Sequence, residues 1–244
     1  MATIPLMEED MESGGKECDI ENDFAYRNNV SQAALKIRLG FLRKVYSLVF
    51  MQLFVTALFG FTLYFWQDGR LFVQNNYWLI SVAFIVSVVT LIALHIKRKE
   101  TPTNYILLSI FTVVQAYSIG VVVSFFEVVV VLQALFLTLA VLGGLTAYTF
   151  QTKRDFSSLG TVLFAALCVL LVAGILQLFF HNNTFEIIIS VFGAFLFALF
   201  IVYDTQNIMH RLSPEEYILA TIELYLDIVN LFLYILRALE ATRR

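Results

Sequence analysis

Two aspartates stand out because they lie in strongly apolar sequence. Asp227 is inside the apolar run from Tyr217 to Leu236, and Asp204 is near the end of the run before it. An ionised side chain at membrane depth costs roughly 2.5 to 3.5 kcal/mol, so such residues persist mainly where they line a polar path or find a partner. If the two carboxyl groups meet across the hairpin that joins their segments, they cannot both stay ionised in a poorly hydrated site. We therefore expect Asp204 and Asp227 to form a proton-sensing, gating pair that titrates as a unit.

The composition indicates which elements must position this pair. Hydrophobic residues make up 59% of the 244 residues and charged residues only 14%, and the mean hydropathy is +0.80. A soluble domain of this size could not bury so much apolar surface in one core. A membrane-spanning helix needs about 20 apolar residues, and such runs occur at 39–65, 78–96, 104–125, 128–150, 159–180, 185–208 and 215–237. The sequence predicts an all-α membrane protein, a seven-helix transmembrane bundle.

The first 30 residues differ from the rest of the chain. They carry eight acidic residues against Lys16 and Arg27, with few large apolar side chains. Such a segment cannot bury enough apolar surface to fold. We expect a disordered acidic cytosolic tail over residues 1–30 and a transmembrane domain over residues 31–244.

Basic residues flank alternate turns between the predicted spans, which indicates the orientation in the membrane. They are Lys36, Arg38, Arg43, Lys44, Lys97, Arg98, Lys99, Lys153, Arg154 and Arg211. Because cytosolic loops carry an excess of lysine and arginine, the N-terminus is predicted to be cytosolic. The arginines at 237, 243 and 244 leave two alternatives: the last helix crosses fully and ends in the lumen, or it re-enters and returns to the cytosol. The polarity of this helix favours a full-length helix packed at the centre of the bundle.

The last helix carries a polar stripe. Ser213-Pro214-Glu215-Glu216 is typical of a capping box with proline in the first turn, which fixes the helix start. From there, spacings of three and four place one set of positions on a single face. At ~1.5 Å per residue Asp227 lies ~20 Å beyond the helix start, near mid-membrane. The stripe, whose polar members are predicted to line a pore, consists of Glu216, Ala220, Glu223, Asp227, Asn230 and Tyr234.

The helix before it has a different pattern. Asp204 and Asn207 share a face with Arg211 near the cytosolic end, above a stretch that contains Phe192, Phe197 and Phe200. A polar vestibule over a hydrophobic constriction is the arrangement expected of a gate. Asn207 is therefore a further candidate for the pore lining.

A basic residue at the cytosolic end of the second span could act as a latch. Lys97 and Arg98 are the candidates, because either could neutralise Asp204 when the carboxyl pair separates. The alternative is a purely structural role, in which Asp204 only caps its helix or pairs with Arg211.

Four segments resemble a known family. They are Phe41-Leu-Arg-Lys-Val-Tyr46, Val202-Tyr-Asp-Thr205, His210-Arg-Leu-Ser-Pro-Glu-Glu-Tyr217 and Leu224-Tyr-Leu-Asp-Ile-Val-Asn-Leu-Phe232. They are similar to the transmembrane Bax-inhibitor-motif (lifeguard) family, and within it to the Golgi anti-apoptotic protein branch. The resemblance covers essentially everything after residue 20.

The resemblance implies a seven-helix bundle wrapped around a central seventh helix. It also implies calcium leak from the Golgi and endoplasmic reticulum, suppression of apoptosis, and control by a proton-sharing pair that maps onto Asp204 and Asp227. The basic latch maps best onto Lys97, and Glu215 matches an acidic position at the pore mouth. Calcium-release channels and apoptosis regulators are the implied protein partners.

Two positions depart from this family pattern. Gln115 stands where the resembling proteins carry glutamate, and Glu223 stands where they carry a neutral residue. Compared with the family pattern, one acidic side chain is therefore at a different position along the predicted pore, which affects the ion selectivity and conductance. Transient calcium contacts are accordingly expected at Asp204, Asp227 and Glu223.

Two other functions compete with a leak channel. Intramembrane aspartyl proteases also pair aspartates on neighbouring helices, but they need glycine beside the second one so that substrate backbone can approach. Leu224-Tyr225-Leu226 precedes Asp227 instead, so no enzyme activity is predicted. The second rival is a non-conducting regulator that binds calcium-release channels or apoptotic proteins.

Motifs for a resident cofactor are not recognised in the sequence. The three histidines and two cysteines lack zinc-ligand spacing. The basic clusters flank membrane spans and do not form a nucleic-acid-binding stripe. We expect no cofactor other than calcium as the permeant ion, and no nucleic-acid partner.

Overall fold

The computed structural model describes residues 35–76, 78–152, 154, 156–177, 179 and 182–243. Within these ranges the chain is helical, and seven of its α-helices are long and apolar enough to cross a membrane. The predicted seven-helix bundle is confirmed. The predicted tail, residues 1–30, lies outside the described residues. The α-helices are α1 (Leu35–Phe65), α2 (Gln67–Asn75), α3 (Trp78–Lys97), α4 (Thr103–Val123), α5 (Val128–Gln151), α6 (Gly160–Gln177), α7 (Asn183–His210) and α8 (Tyr217–Arg243).

Short turns connect the spans, so successive spans run in opposite directions and the molecule has two faces. The basic face holds the α3–α4, α5–α6 and α7–α8 turns, and the distal face holds α2, the α4–α5 and α6–α7 turns, and the end of α8. Contacts within each face agree with this division. Lys99 pairs with Glu215 on the basic face, and Arg243 pairs with Glu127 on the distal face.

Helix α8 lies at the centre. Of its most apolar 18 residues, 61% are buried, against 11% to 39% in the other spans. It packs most extensively on α7, then on α5 and α1, while α6 packs on α7. A helix that carries many polar side chains thereby avoids lipid, since the surrounding spans shield it.

The boundaries of α8 decide between the two alternatives for its end. A 3₁₀ turn, Pro214–Glu216, leads into α8, and Ser213 Oγ accepts a hydrogen bond from Glu215 N at 3.5 Å. The predicted capping box would instead use Glu216 N, which donates to Ser213 O at 2.9 Å. The helix then continues to Arg243, six residues beyond the predicted end at 237. Asn183 Nδ2, on the distal face, donates to Ala241 O near its end at 3.1 Å. The last helix therefore crosses fully and does not re-enter.

One helix is unexpected. The nine-residue α2 lies between α1 and α3 on the distal face, buries Gly69 and Val73 against the bundle, and exposes Leu71 and Phe72. It is too short to span a membrane, which needs about 20 residues.

Candidate functional site

The two predicted aspartates come together between α7 and α8. Asp204 is 8% exposed and Asp227 is 7% exposed. Their carboxyl groups lie within hydrogen-bonding range of each other. Asp227 Oδ2 is buried and makes no hydrogen bond to the described residues. Two carboxyl groups can hydrogen-bond to each other only when at least one of them is protonated, so this arrangement is suited to sharing a proton.

A line of acidic residues leads from the pair to the basic face. Glu223, one turn before Asp227, is exposed and close enough to interact electrostatically with both Asp204 and Glu216. Glu216 is in the 3₁₀ turn that precedes α8. Because an exposed glutamate inside a span is costly in lipid, its position fits a water-accessible vestibule that opens on this face. We call Glu216, Glu223, Asp204 and Asp227 the acid column.

The other predicted pore-lining residues occupy separate positions. Asn230 and Asn207 are half-buried, and the Asn230 amide donates to Leu226 O in its own helix at 2.9 Å. Glu215 is exposed at the mouth. Among the described residues, no three histidine, cysteine, aspartate or glutamate side chains form a group that could hold a metal ion. The predicted transient calcium contacts thus remain a prediction.

The basic turn between α3 and α4 closes over the mouth of the acid column. Arg98 Nη2 lies 3.4 Å from Glu216 Oε1, and Lys99 Nζ lies 2.9 Å from Glu215 Oε2. Lys97 pairs instead with Glu100 in the same turn, at 2.6 Å. Of the two latch candidates, Arg98 therefore reaches the acid column, whereas Lys97 holds a glutamate of its own turn.

Aromatic side chains fill the distal half of the same helix pair. The Phe197 ring stacks on Tyr234, with centroids 5.7 Å apart and planes 20° apart, and contacts Phe200 at 5.8 Å. Gly193 permits this packing, because a Cβ there would come within 2.5 Å of the Tyr234 ring. We call Gly193, Phe197, Phe200 and Tyr234 the aromatic plug. Phe192, which the sequence placed in the same apolar stretch, is 40% exposed and lies outside it.

Sequence reasoning missed the polar contacts that support α8. The Tyr225 hydroxyl hydrogen-bonds to Thr56 Oγ1 of α1 at 2.8 Å, and Gln52 Nε2 of α1 donates to Thr112 Oγ1 of α4 at 3.0 Å. These residues are buried, so their hydrogen bonds fix how α1, α4 and α8 pack. The sequence signal that could have identified these residues is that each is a polar residue within an apolar run.

Asp204 is also held in place through its own helix. Gln206 is buried, accepts a hydrogen bond from Phe156 N at 2.8 Å and donates to Arg154 O at 2.6 Å. One glutamine thus fixes the α5–α6 turn against α7 beside the carboxyl pair. Gln115, one of the two departures, donates to Ser87 Oγ of α3 at 2.8 Å, a contact between α4 and α3.

Fold and site together define a multi-pass helical membrane protein with a buried carboxyl pair on its central helix. The chain belongs to the Bax-inhibitor family, because the family model described as "Inhibitor of apoptosis-promoting Bax1" matches residues 38–244.

Several curated relatives match nearly the whole chain. Protein lifeguard 4 of Mus musculus is 45% identical over 235 residues, which cover 96% of this chain and 99% of the relative. The Golgi anti-apoptotic protein of vaccinia virus (strain Lister) is 44% identical over 225 residues, covering 92% and 95%. Bax inhibitor 1 of Schizosaccharomyces pombe is 40% identical over 219 residues, covering 89% and 82%.

Proposed function

We propose that this protein is a proton-gated cation leak channel, with calcium as the permeant ion, and that it inhibits apoptosis by lowering store calcium. The observation that carries the proposal is the buried contact between Asp204 and Asp227 on neighbouring spans. A contact that exists only while a proton is shared makes the packing of α7 against α8 depend on pH.

The gating cycle follows from the charges around the pair. With one shared proton, the two carboxyl groups attract and hold α7 against α8. When the proton leaves, two buried negative charges repel each other, and Glu223 adds to the repulsion. The helices then separate or a cation enters between them. Arg98, which already contacts Glu216, is the nearby positive charge that could stabilise the separated acids.

The proposed cellular compartment and the proposed effect on apoptosis are based on the relatives. The vaccinia relative is named a Golgi anti-apoptotic protein, and the matching family model is named for apoptosis inhibition. We place the protein in Golgi and endoplasmic reticulum membranes, with a cytosolic N-terminus as the basic turns predict. The basic face is then cytosolic and the distal face lumenal.

The test is calcium flux through the purified full-length protein in liposomes, measured across pH. Flux should rise as the pH increases and the shared proton leaves. Asp227→Asn should flatten this response, because the amide can donate to Asp204 permanently and needs no proton. Asp68→Asn is the matched control, since it removes the same charge from α2 on the distal face and should keep the wild-type profile.

Flux also separates the proposal from its rival. If the wild-type protein carries no more calcium than protein-free liposomes at any pH, conduction is rejected and a regulator that acts by binding other proteins is favoured. If flux occurs but Asp227→Asn responds to pH like the wild type, the carboxyl pair is not the gate.

A further inference from the structure

A cavity on the distal face lies away from the α7–α8 interface. Its volume is about 410 Å³, and its walls include Tyr64 at the end of α1, Arg70 of α2, and Phe125, Glu127 and Val129 around the α4–α5 turn. This volume falls within the usual range for small-molecule sites, about 300–1,000 Å³. It is large enough for the headgroup of a lipid but not for its acyl chains.

The cavity lies at the level of the membrane surface, because α1, α4 and α5 all begin or end beside it. Tyr64, Phe125 and Val129 are exposed, and they continue into the lipid-facing sides of these spans. An acyl chain could therefore lie along the outer wall while its headgroup occupies the cavity.

Helix α2 has the properties of an interfacial helix. It exposes Leu71 and Phe72, and the chain's two tryptophans, Trp66 and Trp78, flank it and are exposed. Tryptophan is enriched where membrane meets water, and amphipathic helices lie in that plane with their apolar side chains in the lipid. We therefore expect the rim of the cavity to lie at the level of the phospholipid headgroups.

The charge in the cavity is complementary to a phosphate. Arg70 Nε and Nη2 donate to Ser124 O at 3.0 and 2.6 Å, and Gln74 Nε2 donates to the same oxygen at 2.9 Å. These bonds fix the guanidinium while three of its five N–H groups remain for another acceptor. Glu127, the acid of the cavity, is paired with Arg243 at 2.8 Å, so its charge is balanced by a cation other than Arg70.

We propose that this cavity binds the phosphate-bearing headgroup of a phospholipid of the distal leaflet, with Arg70 as the phosphate-binding residue. Arginine suits this role because its planar fork matches two phosphate oxygens. A bound lipid would contact α2 and the α4–α5 turn. Through Glu127 and Arg243 it would also connect to the end of the central helix α8.

Native mass spectrometry of the delipidated full-length protein in detergent tests the proposal, with added dioleoylphosphatidylethanolamine as the probe. We expect a saturable lipid adduct in the wild-type protein. Dioleoylglycerol, which has the same chains without phosphate, should bind at least about tenfold more weakly, since charge-assisted hydrogen bonds are lost. Inorganic phosphate at millimolar concentration should not displace the phospholipid, because it cannot use the apolar wall.

Variants locate the site. Arg70→Gln should weaken the adduct about tenfold. Arg70→Lys should weaken it less, because it keeps the charge but loses the planar fork. Arg211→Gln, which removes the same charge on the basic face, should have no effect. Quenching of Trp66 fluorescence by a phospholipid brominated in its acyl chains, in a Trp78→Phe background, should show the same order.

The proposal is overturned if dioleoylglycerol binds as tightly as the phospholipid, or if Arg70→Gln retains the wild-type adduct. Displacement by inorganic phosphate would also overturn it and indicate a free-phosphate site. The comparison of the two lipids uses only wild-type protein, so it decides the matter even if Arg70→Gln does not fold. Because no flux is measured, failure of the leak-channel proposal would leave this test unchanged.

Discussion

The α7–α8 interface has two halves that are held together by different physics. In the half nearer the basic face, Asp204 and Asp227 are buried beside each other, an arrangement suited to sharing a proton. In the distal half, Phe197 and Tyr234 stack against each other, with Tyr234 filling the space above Gly193. Under the proposed function, a change in pH opens the first half, whereas the second opens only when the helices move apart.

The two halves are mechanically coupled because they share α8. Asp227 and Tyr234 are seven residues apart, two helical turns or about 10 Å, and lie on the same face. Separation at the carboxyl pair would tilt or rotate α8 and so withdraw the Tyr234 ring from Gly193. Under the proposed function, protons select the state of the α7–α8 interface and aromatic packing provides the seal.

The largest effect is expected from removing the seal. Tyr234→Ala deletes the ring that stacks on Phe197 and leaves a hole beside Gly193. We expect the free energy of unfolding to fall by about 3 kcal/mol, at the low end for aromatic-to-alanine changes because lipid, not water, surrounds the bundle. Calcium flux should rise at every pH. Thermal unfolding in detergent and liposome flux measure the two effects.

Tyr234→Phe is the matched control, since it keeps the ring and loses only the hydroxyl group. It should resemble the wild-type protein in both assays. Wild-type flux in a folded Tyr234→Ala protein would show that the aromatic plug is not the seal, and would leave the carboxyl pair as the barrier.

A smaller effect on stability is expected from a substitution that makes the contact between the two carboxyl positions independent of pH. Under the proposed function the folded state holds a proton that the unfolded chain releases, so stability should fall as the pH rises through the range where the pair titrates. Asp227→Asn should remove this slope, because its amide replaces the proton. A hydrogen bond to a charged group contributes about 1.5 to 3 kcal/mol, which sets the size of the change.

The measurement is the unfolding temperature of both proteins from acidic to alkaline pH. Glu215→Gln is the control, since it removes an exposed acid at the mouth and should keep the wild-type slope. Parallel pH curves for wild-type and Asp227→Asn proteins would mean that the carboxyl pair does not hold the helices together.

Much of this arrangement could be predicted from the sequence, because a membrane imposes strong constraints. Seven spans follow from the length of the apolar runs, and Asp204 and Asp227 follow from the cost of placing acids in them. The stripe on α8 follows from helical periodicity, which also identified Tyr234. The spacing of residues along α8 cannot predict which residue of α7 packs against each of them. The absence of a side chain at Gly193 is what makes Tyr234 part of a seal.

Two further features were beyond the sequence signal. Helix α2 has nine residues and includes Gly69, a poor helix former, so neither length nor propensity predicted it. Arg98 and Lys97 are adjacent, but Lys97 is the last residue of α3 and Arg98 is the first residue of the turn that follows it, so helical periodicity does not predict where Arg98 lies. Family resemblance favoured Lys97 as the latch, whereas the contacts place Arg98 at the acid column and Lys97 on Glu100.

The different partners of Lys97 and Arg98 give the prediction with the smallest expected effect. Arg98→Gln removes a half-exposed ion pair with Glu216, so it should lower stability by no more than about 1 kcal/mol. It also removes the cation that acts on Glu223, and the acids should then hold their protons more firmly. We expect the pH midpoint of calcium flux to move to more alkaline pH.

Lys97→Gln makes the same change of charge one residue away, where the partner is Glu100, and should leave the midpoint unchanged. Equal shifts in the two variants would mean that the acid column senses only the overall charge of the basic face, and that neither residue acts as a specific latch.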